Sequence, residues 1–174
     1  VVDTNENALT ELTRDLRSAE GVVVPEAYTT YPVDFGSPTF ARLMRTEGPF
    51  DIVAHFAAHK HVRSEKDRFS IEAMVGNNVV STVRLLDLLV EHPPERFFCV
   101  STDKAANPRT VMGQSKALAE WIVETWGHRA EVSTRFVAVR FGNVLGSSGS
   151  VVPIFRRQIA RGGPVTVTHP EMTR

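Results

Sequence analysis

The chain has 174 residues, enough for one domain with a sizeable core, and 42% hydrophobic against 23% charged is the balance of an ordinary globular protein. Twenty basic and twenty acidic side chains cancel. That leaves no bulk field to draw the chain onto nucleic acid or anionic lipid. One cysteine, Cys99, rules out a disulfide framework and fits a reducing compartment. Its place in the apolar run Arg96-Phe97-Phe98-Cys99-Val100 makes it a small core residue. No apolar stretch reaches the roughly 20 residues that a membrane helix needs, and no signal peptide is visible. The chain opens on Val1-Val2-Asp3, as at the end of a strand, and closes on Met172-Thr173-Arg174, so it reads as an excerpt of a longer protein.

In chain order, Thr4 is the expected N-cap of a helix over 6–19, with Ala8, Leu9, Leu12 and Leu16 on one side and Gly21 as its stop. Short β-branched or aromatic runs predict strands over 21–24, 50–57, 96–101, 135–141 and 165–168. A helix is expected over 70–90, where Val79, Val83, Leu86 and Val90 form a stripe that Leu85, Leu88 and Leu89 widen. Another covers 108–126, with Leu118, Trp121, Ile122 and Thr125 together, and a last one covers 151–161. Strand and helix in alternation imply parallel strands with right-handed crossovers, hence an α/β fold with a doubly wound, Rossmann-like sheet. The first strand and glycine-rich loop of such a sheet are lacking.

Ligands in these sheets sit outside the carboxyl ends of the strands. The segments expected there are Asp3-Thr4-Asn5, Ala58-His59-Lys60-His61, Thr102-Asp103-Lys104 and Gly142-Asn143-Val144, all converging on one rim. An acid at the end of a strand, as Asp3 is, bonds the adenosine ribose in dinucleotide sites and favours NAD over NADP; it serves equally as a helix cap. Asp34, in Pro32-Val33-Asp34-Phe35, sits where a loop reaches adenine or simply makes a surface turn. Thr102, Asp103 and Lys104 contribute nothing to a core and place an acid and a base together at the rim. Met112 and Lys116 lie one helical turn apart on the face opposite the Leu118-Trp121-Ile122 stripe. A lysine there could orient a ribose and lower the pKa of a nearby acid, or be a solvated surface lysine. The loop from Phe141 to Ser150 is rich in glycine and serine, suited to close backbone approach or to a plain surface loop, and it opens onto a helix start that favours an anion. His55, His59 and His61 straddle a strand end without metal-ligand spacing, so no metal site is expected; His61 beside Lys60 reads as a ligand contact.

Several blocks carry a family likeness. They are Ala57-Ala58-His59-Lys60-His61-Val62, Ser101-Thr102-Asp103-Lys104-Ala105-Ala106-Asn107-Pro108, Met112-Gly113-Gln114-Ser115-Lys116, residues 140–152, and residues 162–174. In order and over nearly the whole chain they resemble the capsular-polysaccharide branch of the extended short-chain dehydrogenase/reductases, whose characterised members include UDP-N-acetylglucosamine 4,6-dehydratases. The family usually carries Tyr-x-x-x-Lys; here Met112 stands at the tyrosine position, as in the longer, membrane-anchored dehydratases of this branch. A thioether has no proton to exchange. The segment Arg63-Ser64-Glu65-Lys66-Asp67 also departs from the Pro-Leu-Met-Glu of many relatives, and that segment lies near the substrate.

The resemblance implies a partial NAD(P)-binding catalytic domain over 1–174, with 142–174 beginning the substrate-binding part. Its implied catalytic residues are Thr102, Asp103, Lys104 and Lys116. Thr102, relayed by Lys116, would remove the O4 proton, Lys104 the C5 proton, and neutral Asp103 would protonate the departing C6 hydroxyl. The implied cofactor contacts are Asp3, Asp34, Phe35, Ala57, Ala58, Asn78, Ser101, Lys116, Phe141 and Asn143, for NAD in preference to NADP. Lys60, His61, Asn143 and Arg174 are the implied nucleotide-sugar contacts. A C4 epimerase or a non-catalytic sugar-nucleotide module would share most of these features. Self-association through the two long helices and a cytoplasmic site, with no direct membrane contact by this segment even if the whole protein is membrane-anchored, complete the expectations.

Overall fold

A computed structural model of the chain describes residues 1–60, 65–128, 133–147, 149–167, 169 and 171. They fall into two compact units, Val1–Arg140 and Phe141–Arg174.

In the first unit, β1 (Val2–Asp3) leads into α1 (Glu6–Ser18) and returns to β2 (Tyr31–Pro32), which lies parallel to β1 with Val2 opposite Tyr31. Asn5 caps α1, its side chain accepting from Ala8 N–H at 3.0 Å, so the cap lies one residue beyond the expected Thr4. The strand expected over 21–24 does not form. Val22 and Val23 are exposed there, with neither a partner strand nor a core to cover them. Helix α2 (Pro38–Glu47) follows, a helix that the hydrophobic runs do not show. Ser37 caps it by accepting from Phe40 N–H, and Pro38 supplies a first helical residue that needs no N–H partner.

A second sheet has the order β3 (Ile52–His55), β4 (Arg96–Thr102), β5 (Arg135–Phe141). β3 and β4 are parallel, with Val53 opposite Phe97 and His55 opposite Cys99, so the segments leaving both strands emerge at one edge. This is the doubly wound α/β pattern, although among the described residues no strand joins the β1–β2 pair to the β3–β4–β5 sheet. Phe40, Leu85, Leu86, Leu89, Phe97, Cys99 and Val123 form the core between sheet and helices. Cys99 is a core residue as expected, its thiol pushed up by burial and so unreactive.

Between β3 and β4 runs one continuous helix, α3 (Arg68–Val75), a π-helical turn (Gly76–Val80) and α4 (Ser81–Glu91). Contrary to the sequence expectation, this 24-residue helix is long and apolar enough to cross a membrane by length and composition, its most apolar 18-residue window having a mean hydropathy of 1.3. Here Met74, Leu85, Leu86 and Leu89 from this helix are buried in the unit itself.

The π-turn is where the packing becomes specific. The extra residue in the turn places Asn78 against both the segment after β3 and helix α5 (Val111–Gly127). Asn78 Oδ1 accepts from His59 N–H at 2.8 Å, while Nδ2 donates to His59 O and to Ser115 Oγ, both at 3.0 Å. Asn77 Nδ2 also donates to Oδ1, at 3.1 Å. The amide's capacity is therefore filled by protein. Thr82 donates its single hydroxyl proton to Asn78 O at 2.9 Å. The 3.1 Å contact between Thr82 Oγ1 and His55 Nε2 then has Nε2 as its donor, and burial keeps the ring neutral with Nδ1 bare.

The second unit contains α6 (Val151–Ala160), ending at Gly162 and Gly163, both at positive φ. Gln158 fastens the chain after it, donating to Thr166 Oγ1 at 2.9 Å and accepting from Thr166 N–H at 3.0 Å. The strand expected over 165–168 is not formed at 165–167, which are exposed and without assigned strand structure; Thr168 lies outside the described residues.

Two outcomes follow for stability. Burial, and secondarily the Lys116 charge, push His55 down to about 4. The unfolded chain therefore takes up a proton near pH 6.5 that the folded chain refuses. This contribution is intact above that pH and is lost as pH falls toward about 4, costing roughly 3 kcal/mol. Urea unfolding of wild type and His55→Asn at pH 7 and pH 4.5 should show the loss in wild type and less of it in the variant; equal losses would rule out a buried neutral His55. Asn78→Ala strips partners from His59 and Ser115 and should lower unfolding free energy by about 3 kcal/mol. A loss below about 0.5 kcal/mol in the same urea titration would show that the amide carries little of the packing.

Candidate active site

At the exit of β4 the chain turns through Asp103–Ala105 in a single 3-10 turn. Thr102 is half-buried and Asp103 and Lys104 are exposed. Asp103 Oδ1 accepts both from Lys104 Nζ at 2.9 Å and from Thr102 Oγ1 at 3.0 Å. These bonds, Lys104's first and Thr102's second, hold the Asp103 carboxyl below the usual carboxylate range. Asp103 is thus an ionised carboxylate in this arrangement and not the neutral acid expected from the sequence. Because the pair is exposed, water and salt screen it and it is easily rearranged.

Helix α5 lies behind this turn, capped by Thr110, whose Oγ1 accepts from Gly113 N–H at 3.1 Å. A Cβ on Gly113 would lie 2.8 Å from Lys104 O, so only glycine lets the first turn of α5 press against the Asp103–Lys104 backbone. Met112, Ser115 and Lys116 face inward, Lys116 being only 7% exposed. Of the expected apolar stripe, Leu118 (42%) and Trp121 (63%) are exposed, while Ile122 is half-buried against the core.

Lys116 Nζ donates to Val100 O at 2.6 Å. Burial lowers its pKa, partly offset by the neighbouring Cys99 and Glu120. The expected relay from Thr102 to Lys116 is not the bonding observed: the Thr102 proton goes to Asp103, and the lysine holds the β4 backbone. One turn further, burial works against ionisation of Glu120, but its hydrogen bonds to Arg140 and Ser101 and the charges of Arg140 and Lys116 outweigh this and lower its pKa. Arg140 reaches it with two nitrogens, the shortest contact being 2.7 Å. Ser101 Oγ is buried and makes no well-formed hydrogen bond, although it lies close enough to help hold Glu120 ionised.

The other expected positions divide. Asp3 is exposed and accepts from Asn5 N–H at 2.8 Å, the local turn that starts α1. Asp34 accepts from Gly36 N–H at 2.8 Å in the same manner. Phe35 packs on His55, ring centroids 4.9 Å apart, bringing the segment after β2 to the end of β3. Ala57 and Lys60 are exposed and Ala58 half-buried on the segment that Asn78 holds. Asn78 itself is 2% exposed with its amide fully engaged, so its role is corrected from a cofactor contact to a support. Phe141 and Asn143 are exposed residues of the second unit. His61 and Arg174 lie outside the described residues. Glu120 was missed although it stands four residues after Lys116, a spacing that puts both on one helical face. Glu65, which accepts from Met112 N–H at 2.8 Å, was also missed; a contact across 47 residues leaves no local pattern.

Comparison with known proteins places this arrangement. Residues 1–174 match the model of the polysaccharide biosynthesis protein family. Among relatives, “Probable polysaccharide biosynthesis protein EpsC” of Bacillus subtilis (strain 168) is 50% identical over 123 residues, covering 71% of this chain and 20% of that protein. The chain thus spans about a fifth of that relative's length. Pen from Bacillus thuringiensis superposes with a TM-score of 0.82 at 26% identity, over 99% of this chain and 52% of its own. The UDP-glucuronic acid 4-epimerase of Bacillus cereus, solved with UDP-glucuronic acid and NAD, gives a TM-score of 0.74 at 19% identity, over 91% and 53% respectively, and shares the fold. The chain belongs to the polysaccharide biosynthesis protein family.

Proposed function

We propose that this segment is part of an NAD-dependent nucleotide-sugar 4,6-dehydratase acting in surface-polysaccharide synthesis, with UDP-N-acetylglucosamine as its substrate. The observation that carries the reading is the trio at the exit of β4: one carboxylate, Asp103, bonded to both a hydroxyl and an ammonium. An NAD cofactor fits the residues present. Ser101 offers a buried hydroxyl without a well-formed bond, and Asp3 at the end of β1 and Asp34 after β2 stand exposed. These residues, with Phe35, Ala57 and Ala58, would hold it, and when bound it takes hydride from sugar C4 and returns hydride to C6.

The proton path runs along the chain's own trio. Thr102 accepts the O4 proton and passes its own to Asp103, to which it is already bonded. Asp103 becomes neutral by that transfer and then protonates the departing C6 hydroxyl, which leaves as water. With Asp103 uncharged, Lys104 loses the partner that stabilises its ammonium, and exclusion of water by the sugar lowers its pKa further. Having lost its proton to water, Lys104 removes the C5 proton and later returns it. Lys116 supports this by fixing the Val100 carbonyl. Lys60, His61, Asn143 and Arg174 are assigned to the nucleotide sugar on the resemblance alone.

A C4-epimerase reading draws on the ionised state of Asp103, since epimerisation needs no acid for a leaving group. Self-association belongs to the proposal as well: Leu118 and Trp121 on α5 and Val80 and Val90 along the α3–α4 helix are apolar and exposed.

With the full-length protein and UDP-N-acetylglucosamine, Asp103→Asn and Lys104→Ala should each lower formation of the 4-keto-6-deoxy product by about 10²–10⁴-fold. Mass spectrometry detects the loss of water. Wild-type protein that yields only the C4 epimer would replace the dehydratase reading with the epimerase one. Trp121→Glu should shift the intact protein toward monomer in sedimentation velocity; an unchanged profile would exclude α5 as the contact.

A further inference from the structure

The stretch before α3 is tied to two helices at once. Asp67 caps α3, its Oδ1 accepting from Phe69 N–H at 3.0 Å and Ser70 N–H at 2.9 Å. Two residues earlier, half-buried Glu65 turns to α5 and accepts from Met112 N–H at 2.8 Å. Thr110 already serves the Gly113 N–H of that helix, so Glu65 satisfies a different orphan donor of the first turn. The bond is charge-assisted, and it sets a negative charge at the positive end of a 17-residue helix.

This turn of α5 is the one pressed against the Lys104 backbone at Gly113. A shift of its first residues therefore displaces Asp103 and Lys104, which the exposed ion pair alone holds only weakly. The contact also falls at the position where methionine replaces the usual tyrosine.

We propose that Glu65 is a positioning residue: by bonding the Met112 amide it fixes the first turn of α5 and, through the Gly113–Lys104 contact, the turn that carries Asp103 and Lys104. It acts through the backbone, without touching the sugar. The catalytic half of this assignment rests on the dehydratase reading above, and the structural half does not.

Two measurements on the full-length protein separate them. Amide hydrogen exchange should show Met112 N–H protected in wild type and in Glu65→Gln, whose carbonyl still accepts, and at least about tenfold less protected in Glu65→Ala. In steady-state turnover of UDP-N-acetylglucosamine, Glu65→Ala should lower kcat about tenfold or more with KM changed less than about twofold, and Glu65→Gln should stay within about threefold of wild type. Equal Met112 exchange in wild type and Glu65→Ala overturns the proposal. So does a raised KM at unchanged kcat, which would make Glu65 a substrate contact. If wild type turns over no nucleotide sugar while the exchange pattern holds, the dehydratase reading fails and the brace on α5 stands.

Discussion

The buried amide of Asn78 is the interaction on which the arrangement of this rim depends. It joins three elements, the segment leaving β3, the helix that contains the π-turn, and α5. In a low-dielectric interior each of these bonds is electrostatically stronger than in water, and each partner would be costly to leave alone. The π-turn carries Asn78 between the segment leaving β3 and α5, although its hydrogen bonding is poorer than that of an α-helix. Thr82 and His55 extend the network to the last residue of β3, which pairs with Cys99 of β4.

Charge is distributed accordingly. The buried ion, Lys116, meets a backbone carbonyl directly and has Glu120 nearby, and burial still lowers its pKa. The exposed pair, Asp103 and Lys104, is cheap to make and cheap to break. Supporting groups are therefore inside and fixed, and the groups assigned to proton transfer are outside and adjustable. Such a division suits a site whose reactive carboxyl must change protonation state while the scaffold holds still.

Much of this was legible in the sequence, and the exceptions have physical causes. Composition alone marks β4, whose apolar run is buried at alternate residues, and the β-branched and aromatic residues of β3 and β5 mark those strands although both are largely exposed. Val22 and Val23 look the same locally, but pairing is a tertiary event, and no strand lies beside them. Helix α2 hid because its apolar residues are sparse; its cap, Ser37 followed by Pro38, was the available signal. On α5 the stripe expected to be open for self-association does leave Leu118 and Trp121 exposed, while Met112, Ser115, Lys116 and Ala119 are buried. The trio at Thr102 was visible as polar residues following a buried strand. The bonds of Asn78 and Glu65 were not, because hydrogen bonds across 19 and 47 residues leave no periodicity.

The methionine at 112 ties these observations together. A phenol at this position would lie on α5, and the lysine one turn along would tune it. With a thioether there, no proton can pass through the helix, and Lys116 is bonded to the Val100 carbonyl. The exchangeable protons of the turn are bonded along the chain itself, from Thr102 to Asp103 and from Lys104 to Asp103. In the proposed reaction the helix loses a chemical role and keeps a mechanical one. Its first turn then needs firm anchorage, because the catalytic turn rests on it. A carboxylate bonded to the backbone N–H of the methionine itself is an anchor of that kind.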